Sequence, residues 1–128
     1  MKAKVLYIIR GLPGTGKSTL AHELTDFVCE ADMFFTKFGL APYEFDVTKL
    51  REAHIWCQDR CNMYMREGIT RIAVSNTGSQ RWEIEPYVAM AQKHGYRITE
   101  ITLTGDSYGS IHNVPDEAVE RMKGRWEK

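Results

Sequence analysis

Apolar positions fall along this chain in two kinds of block. A strand is expected over Arg97 to Leu103, and short runs with little polar interruption stand at Val5-Leu6-Tyr7-Ile8-Ile9 within Lys4 to Arg10 and at Arg71-Ile72-Ala73-Val74. Such runs fit strands buried in a parallel sheet. Longer stretches carry helical spacing. Leu20, Leu24, Phe27 and Val28 share a face over a helix expected from Ser18 to Phe27. Leu50, Ala53, Cys57, Cys61, Tyr64 and Met65 share a face of a long helix from about Val47 to Glu67, with Gly68 placed to cap it. Val88 and Ala91 face inward on a helix expected from Pro86 to His94, where Pro86 suits the first turn and Gly95 ends it. A short strand is expected over Phe27 to Ala31. A last helix opens near Pro115, with Asp116, Glu117 and Glu120 early and Arg121, Lys123, Arg125 and Lys128 late, the charge order that complements a helix dipole. Strands alternating with helices imply an α/β fold: a small, mainly parallel sheet with helices on both faces.

The link between the first strand and first helix adds chemistry to that frame. Residues 11–19 read Gly-Leu-Pro-Gly-Thr-Gly-Lys-Ser-Thr, and Gly11, Gly16, Lys17 and Ser18 satisfy the pattern G-x-x-x-x-G-K-[ST]. Strand, glycine loop and helix are the context this motif requires, and they make the expected architecture a P-loop NTPase fold. Backbone N–H groups of such a loop cradle phosphate oxygens, and glycine lets the chain curl without a Cβ clash. The helix N-terminus beyond it favours anions. The motif therefore assigns ATP to residues 11–19, including Pro13, Gly14, Thr15 and Thr19. Pro13 stiffens the loop and Thr15 adds a hydroxyl. Lys17 contacts the β- and γ-phosphates, and the Ser18 hydroxyl holds Mg²⁺.

Composition narrows the field further. The chain has 128 residues, the length of one domain, and is 43% hydrophobic, enough for one core. Its 17 basic and 17 acidic residues cancel, which argues against sequence-independent coating of nucleic acid and leaves room for a local groove or an end-binding pocket. No run approaches the length of a membrane span, and Met1-Lys2-Ala3-Lys4 carries no cleavage pattern. Cys29, Cys57 and Cys61 lack a disulfide-framework spacing, so a reduced, cytoplasmic protein is expected. His54, Cys57 and Cys61 share a helix without a second ligand pair, which favours packing over zinc.

Two further segments carry candidate chemistry. Asp32 follows the second strand, at the sheet edge where open α/β folds bind ligands. Residues 33–46, Met-Phe-Phe-Thr-Lys-Phe-Gly-Leu-Ala-Pro-Tyr-Glu-Phe-Asp, are rich in aromatics. They can form a hydrophobic cluster over the second helix or a platform that stacks an acceptor base, with packing the commoner use. No Asn-Lys-x-Asp occurs, which disfavours a guanine-reading GTPase, and the length suits a compact kinase core better than an AAA+ module or motor.

On these residues the chain resembles the kinase module of phage-type polynucleotide 5′-kinase and the small P-loop kinases allied to it. The likeness rests on Arg10 to Thr19, Asp32-Met-Phe-Phe35, Tyr43-Glu-Phe-Asp46, Ala53-His-Ile-Trp56, Asn76-Thr77, Trp82 to Tyr87, Ile111-His112 and Val119 to Lys123. The resemblance implies that Asp32 is the base that orients the acceptor hydroxyl. Two departures stand out. Where the family has an Asp-Thr-Asn-like run after the third strand, this chain has Ser75-Asn76-Thr77-Gly78, with no carboxylate. Where the family has a lid bearing arginines, the loop Thr104 to Asn113 has no Arg or Lys, and His112 is its one ionisable base. Arg81, in the loop after the third strand, is the candidate substitute.

The expected function is ATP–Mg²⁺ phosphoryl transfer to a hydroxyl of nucleic acid, with a 5′-hydroxyl favoured by the resemblance. A hydroxymethylpyrimidine in phage DNA and a free nucleoside or nucleotide are the alternative acceptors. The rival reading is a nucleotide-binding module with little catalysis, with an ATPase coupled to a partner ranked last. A homodimer could supply an arginine in trans. No membrane partner is expected.

Overall fold

In the computed structural model, residues 3–12, 15–36, 47–76, 78 and 80–103 are described. Pro13, Gly14, residues 37–46 of the aromatic segment, Thr77, the loop Thr104 to Asn113 and the helix expected from Pro115 lie outside them.

The elements run β1 (Val5–Gly11), α1 (Lys17–Leu24), β2 (Val28–Cys29), a 3₁₀ helix (Ala31–Thr36), a 3₁₀ turn (Val47–Lys49), α2 (Leu50–Arg66), β3 (Arg71–Asn76), α3 (Arg81–His94) and β4 (Arg97–Leu103). The sheet has four strands in the order β2-β3-β1-β4, with every pairing parallel. The chain leaves β1 toward one edge and β3 toward the other. The crevice between their C-terminal ends is therefore the switch point at which such sheets receive ligands.

Alternation along the central strand assigns the two faces. Leu6 and Ile8 point into a core shared with Cys29, Ile72 and Val74 and roofed by α2 and α3 through Ala53, Cys57, Cys61, Met65, Ile84, Tyr87 and Ala91. Ile9, Val28 and Ala73 point the other way, onto Ala21 of α1, with Leu20 and Leu24 alongside. The expected two-faced parallel sheet is thus present. Truncating a sealed residue such as Ile8 to alanine costs about 2–5 kcal/mol, because the vacated space does not fully collapse.

Four boundaries differ from the sequence reading. Helix α1 ends at Leu24, where Thr25 turns extended. Phe27 consequently leaves the α1 face and meets Tyr64 of α2 edge-on, with centroids 5.2 Å apart. Strand β2 is shorter than expected, and β3 runs on to Asn76. Helix α3 starts at Arg81, five residues before Pro86, because Gln80 and Glu83 form a reciprocal capping box. Pro86 sits inside the helix and removes the hydrogen bond that would reach the Trp82 carbonyl, a cost softened by the exposure of that turn. Leu50, expected in the α2 core face, is exposed.

Candidate functional site

Gly11 closes β1 and Gly16 immediately precedes α1, so the described residues of the P-loop lie between the two elements. Gly11 is required for close approach: a Cβ there would stand 2.5 Å from the Thr15 hydroxyl oxygen. That hydroxyl in turn donates to the Leu12 carbonyl at 2.8 Å and closes the turn. Gly16 takes the left-handed conformation at φ 86°, where a side chain would be strained, and it is the N-cap of α1. No side chain caps that helix. The first N–H groups of a helix are the ones that favour an anion. Lys17 and Ser18 are the first two residues of α1.

Across the crevice, the chain leaving β2 brings up two acids. Glu30 is buried, and its Oε1 accepts a hydrogen bond from Ser18 Oγ at 3.0 Å. The same oxygen lies 3.3 Å from His22 Nε2 of α1. Burial pushes the Glu30 carboxyl above the usual carboxylate range, while the Ser18 hydrogen bond and the charge of His22 pull it down. Asp32, two residues on, opens the 3₁₀ helix and is half-buried. Burial lowers the Lys17 ammonium from its ordinary value, and the negative charges of Asp32 and Glu30 oppose that shift. Lys17, Ser18, Glu30 and Asp32 thus form one charged neighbourhood, assembled by α1 from one side and the end of β2 from the other.

Asn76 fixes the acidic side. Its Oδ1 accepts from the Ala31 N–H at 2.9 Å, and its Nδ2 reaches Cys57 Sγ at 3.7 Å. The start of the 3₁₀ helix, and with it Asp32, is held by a side chain from β3. His54 of α2 stands near the same edge. Burial lowers its imidazole pKa, against the pull of Glu83 and Asp32. Its companions around a small cavity include Arg10, Asn76, Gly78, Glu83 and Tyr87.

Arg81 is not in a loop. It is the first residue of α3, and its Nη1 donates to Glu100 Oε1 at 2.7 Å. Arg10, 1% exposed, meets the same oxygen at 3.1 Å and donates through Nε to the Gly78 carbonyl at 2.7 Å. Gly78 has φ 58°, and a Cβ there would press on Arg10 Cγ at 3.2 Å. The arginine offered as a phosphate clamp therefore sits in an ion-pair brace of β1, β4 and α3.

Sequence reasoning placed Lys17, Ser18 and Asp32, and the structure brings them together. It overlooked Glu30 and the anchoring role of Asn76. The available signal for Glu30 was a single acid directly after an apolar pair at the C-terminal end of a short strand. Among the described residues no group of three or more His, Cys, Asp or Glu could hold a metal ion, and no helix is long and apolar enough to cross a membrane.

A parallel sheet with a glycine loop at the end of its central strand and acids across the crevice defines a P-loop fold of the kinase type. Residues 6–107 match the AAA_33 family, described as an AAA domain, and the chain belongs to that family. The length argument against an AAA+ module thus meets a family that carries the AAA description within a compact chain. Human NEDD4-binding protein 2 is 35% identical over 139 residues, an alignment that takes in 97% of this chain and 8% of that protein, so the chain spans only a small part of that relative. Two solved structures share the fold at low identity. Chaetomium thermophilum Kti12, in complex with ADP-AlF3, has TM-score 0.63 and 12% identity, over 96% of this chain and 80% of that one. A gluconokinase from Sinorhizobium meliloti 1021 has TM-score 0.61 and 12% identity, over 100% of this chain and 78% of that one.

Proposed function

We propose that the chain is an ATP-dependent phosphotransferase that moves the γ-phosphate to a hydroxyl on nucleic acid, with a polynucleotide 5′-hydroxyl as favoured acceptor. The observation that carries the reading is the placement of Asp32, in the first turn of the 3₁₀ helix after β2, within electrostatic reach of Lys17 at the start of α1. The Gly11 cradle, the left-handed Gly16 and the uncapped start of α1 fit a polyphosphate. The ADP-AlF3 bound to the Kti12 structure supports the same ligand class. The hydroxyl of Ser18 and nearby carboxylates are hard oxygen donors, the chemistry that Mg²⁺ selects.

Bound Mg²⁺ would neutralise phosphate charge. The residues of the chain do the remainder. The main chain and α1 N-terminus hold the triphosphate, and Lys17 stabilises charge on its transferring end. Asp32 would orient the acceptor hydroxyl and accept its proton as that oxygen bonds to the γ-phosphorus and the bond to the bridging oxygen breaks to release ADP, a role for positioning more than for deprotonation in a loose transition state. The acceptor preference rests on the likeness of Asp32-Met-Phe-Phe35 and Trp82 to Tyr87 to polynucleotide kinases. Hydroxymethylpyrimidine bases and free nucleosides are the competing acceptors, and a reduced cytoplasmic setting suits the free thiols of Cys29, Cys57 and Cys61.

The test is transfer from γ-labelled ATP with Mg²⁺ to 5′-hydroxyl DNA and RNA, hydroxymethylpyrimidine duplex DNA, and free nucleosides and monophosphates, with Lys17→Ala as control. Label on oligonucleotide 5′ ends is expected, and label on another acceptor alone would reassign the substrate. A second reading, a nucleotide-binding module with little catalysis, is favoured by the engagement of Arg81 with Glu100. Tight ATP binding with no transfer to any acceptor would select it.

A further inference from the structure

We propose that Glu30 is the carboxylate that positions Ser18 to hold the nucleotide's divalent cation, taking from β2 a role for which the end of β3 has no acid. The inference rests on the nucleotide reading above. P-loop enzymes that bind Mg²⁺ hold it with the loop Ser or Thr and an acid from a strand end nearby. The residues closing β3 are Ser75 and Asn76, neither of them acidic. Asn76 is already committed to the Ala31 N–H and to Cys57.

Register identifies what stands in place of that acid. Cys29 of β2 pairs with Val74 of β3, and Ile9 of β1 pairs with Ser75. One residue beyond the first pair, on the α1 side of the sheet, Glu30 comes up beside Ser75. Ser75 is 3% exposed, and its Oγ has no hydrogen-bond partner among the described residues. Glu30 is 8% exposed, and its Oε1 takes the Ser18 hydroxyl proton at 3.0 Å. A serine that donates its one proton to a fixed carboxylate keeps its oxygen lone pairs for a cation. The carboxylate also adds the negative charge that a hard divalent ion requires of its surroundings. His22 Nε2 shares the same carboxylate oxygen at 3.3 Å, so Glu30 is braced from α1 at two points. The Ser18 hydroxyl is thus aimed by a side chain that is itself held in place.

The experiment measures Mn²⁺ binding to the ADP complex by the loss of the free-ion electron paramagnetic resonance signal, alongside ADP affinity in EDTA. In Glu30→Gln, Mn²⁺ affinity is expected to fall about 10–100-fold, while ADP affinity in EDTA is retained. The exchange variant carrying Glu30→Ser with Ser75→Asp is expected to recover Mn²⁺ binding, because the acid returns to the neighbouring strand end. It also keeps the test decisive where Glu30→Gln fails to fold. Unchanged Mn²⁺ affinity in Glu30→Gln overturns the inference. So does an equal loss of ADP affinity in EDTA, which would mark Glu30 as support for the loop alone, and so does an exchange variant that folds without recovering Mn²⁺. A wild-type chain that binds no ADP under any condition overturns the nucleotide reading, and this inference with it.

Discussion

Two charged clusters flank β1, and they are built on opposite principles. On the α1 side, burial lowers the Lys17 pKa from its ordinary value, and the charges of Asp32 and Glu30 oppose that shift. On the α3 side, Arg10 and Arg81 converge on one carboxylate oxygen of Glu100, at 3.1 and 2.7 Å, and the Gly78 carbonyl takes a further proton of Arg10. The first gathers acids around the lysine and serine that open α1, at the sheet edge where ligands enter. The second is closed on itself. It ties three elements together and presents little that a ligand could use. Opposite charges meet in both places, and the difference is that one cluster is built on the residues that open α1 while the other joins two guanidinium groups through one carboxylate oxygen.

Substitutions can break that contrast. The largest effect belongs to Asp32→Asn, which is expected to lower transfer about 10²–10⁴-fold, the range of a lost acid–base group, with ATP affinity retained. Single-turnover transfer and equilibrium nucleotide binding measure the two halves, and undiminished turnover would end the base assignment. Lys17→Ala is expected to cost about 10²–10³-fold in transfer through lost charge stabilisation, together with weaker ATP binding. The closed cluster should show the reverse profile. Glu100→Gln leaves the buried guanidinium of Arg10 without its anion, and urea denaturation should register a loss of about 2 kcal/mol with nucleotide affinity unchanged. Arg81→Ala removes only the half-exposed arm of the brace. Its expected cost is under about 1 kcal/mol. Its effect on transfer should stay far below the roughly 10³–10⁵ of a phosphate-clamping arginine, and a loss of that size would return Arg81 to the chemistry.

The smallest effect lies in the core beneath both clusters. Burial pushes the Cys57 thiol up from 9.0 to about 12, and the Cys29 thiol is raised as well. The folded chain therefore holds these protons more tightly than the unfolded chain does. That contribution to stability is complete below about pH 9 and is lost as pH climbs from there toward 12. Urea midpoints should be flat from pH 7 to 8.5 and fall above it, and a thiol reagent at pH 8 should label these residues only as fast as the protein opens.

The sheet was legible in sequence because β1 and β3 carry apolar runs bounded by polar residues, whereas β4 offers only Ile98, Ile101 and Leu103 among polar residues, and the P-loop was legible because its glycines and lysine stand at fixed spacing. Helix α3 was misread at its start. Proline usually marks a first turn, whereas here the signal was the pairing of Gln80 with Glu83, and glutamine is an uncommon cap. Asp32 could be placed from its position after an apolar run. Glu30 could not, since its meaning comes from lying across from Ser18, a relation that exists only once α1 has folded back over the strands. The confinement of Arg81 likewise depends on β4 running beside β1.

The link from Asn76 to the Ala31 amide has a further consequence, one of dimensional tolerance. Along the covalent chain, Asp32 is separated from Lys17 by a helix and a two-residue strand, and small errors at each joint would accumulate before reaching the acid. Asn76 shortens that path. It belongs to β3, whose backbone is bonded directly to β1, so the acid is indexed to the strand that carries the P-loop. The acid's position is then set from β3, and changes in the turn between α1 and β2 can be absorbed there without displacing Asp32.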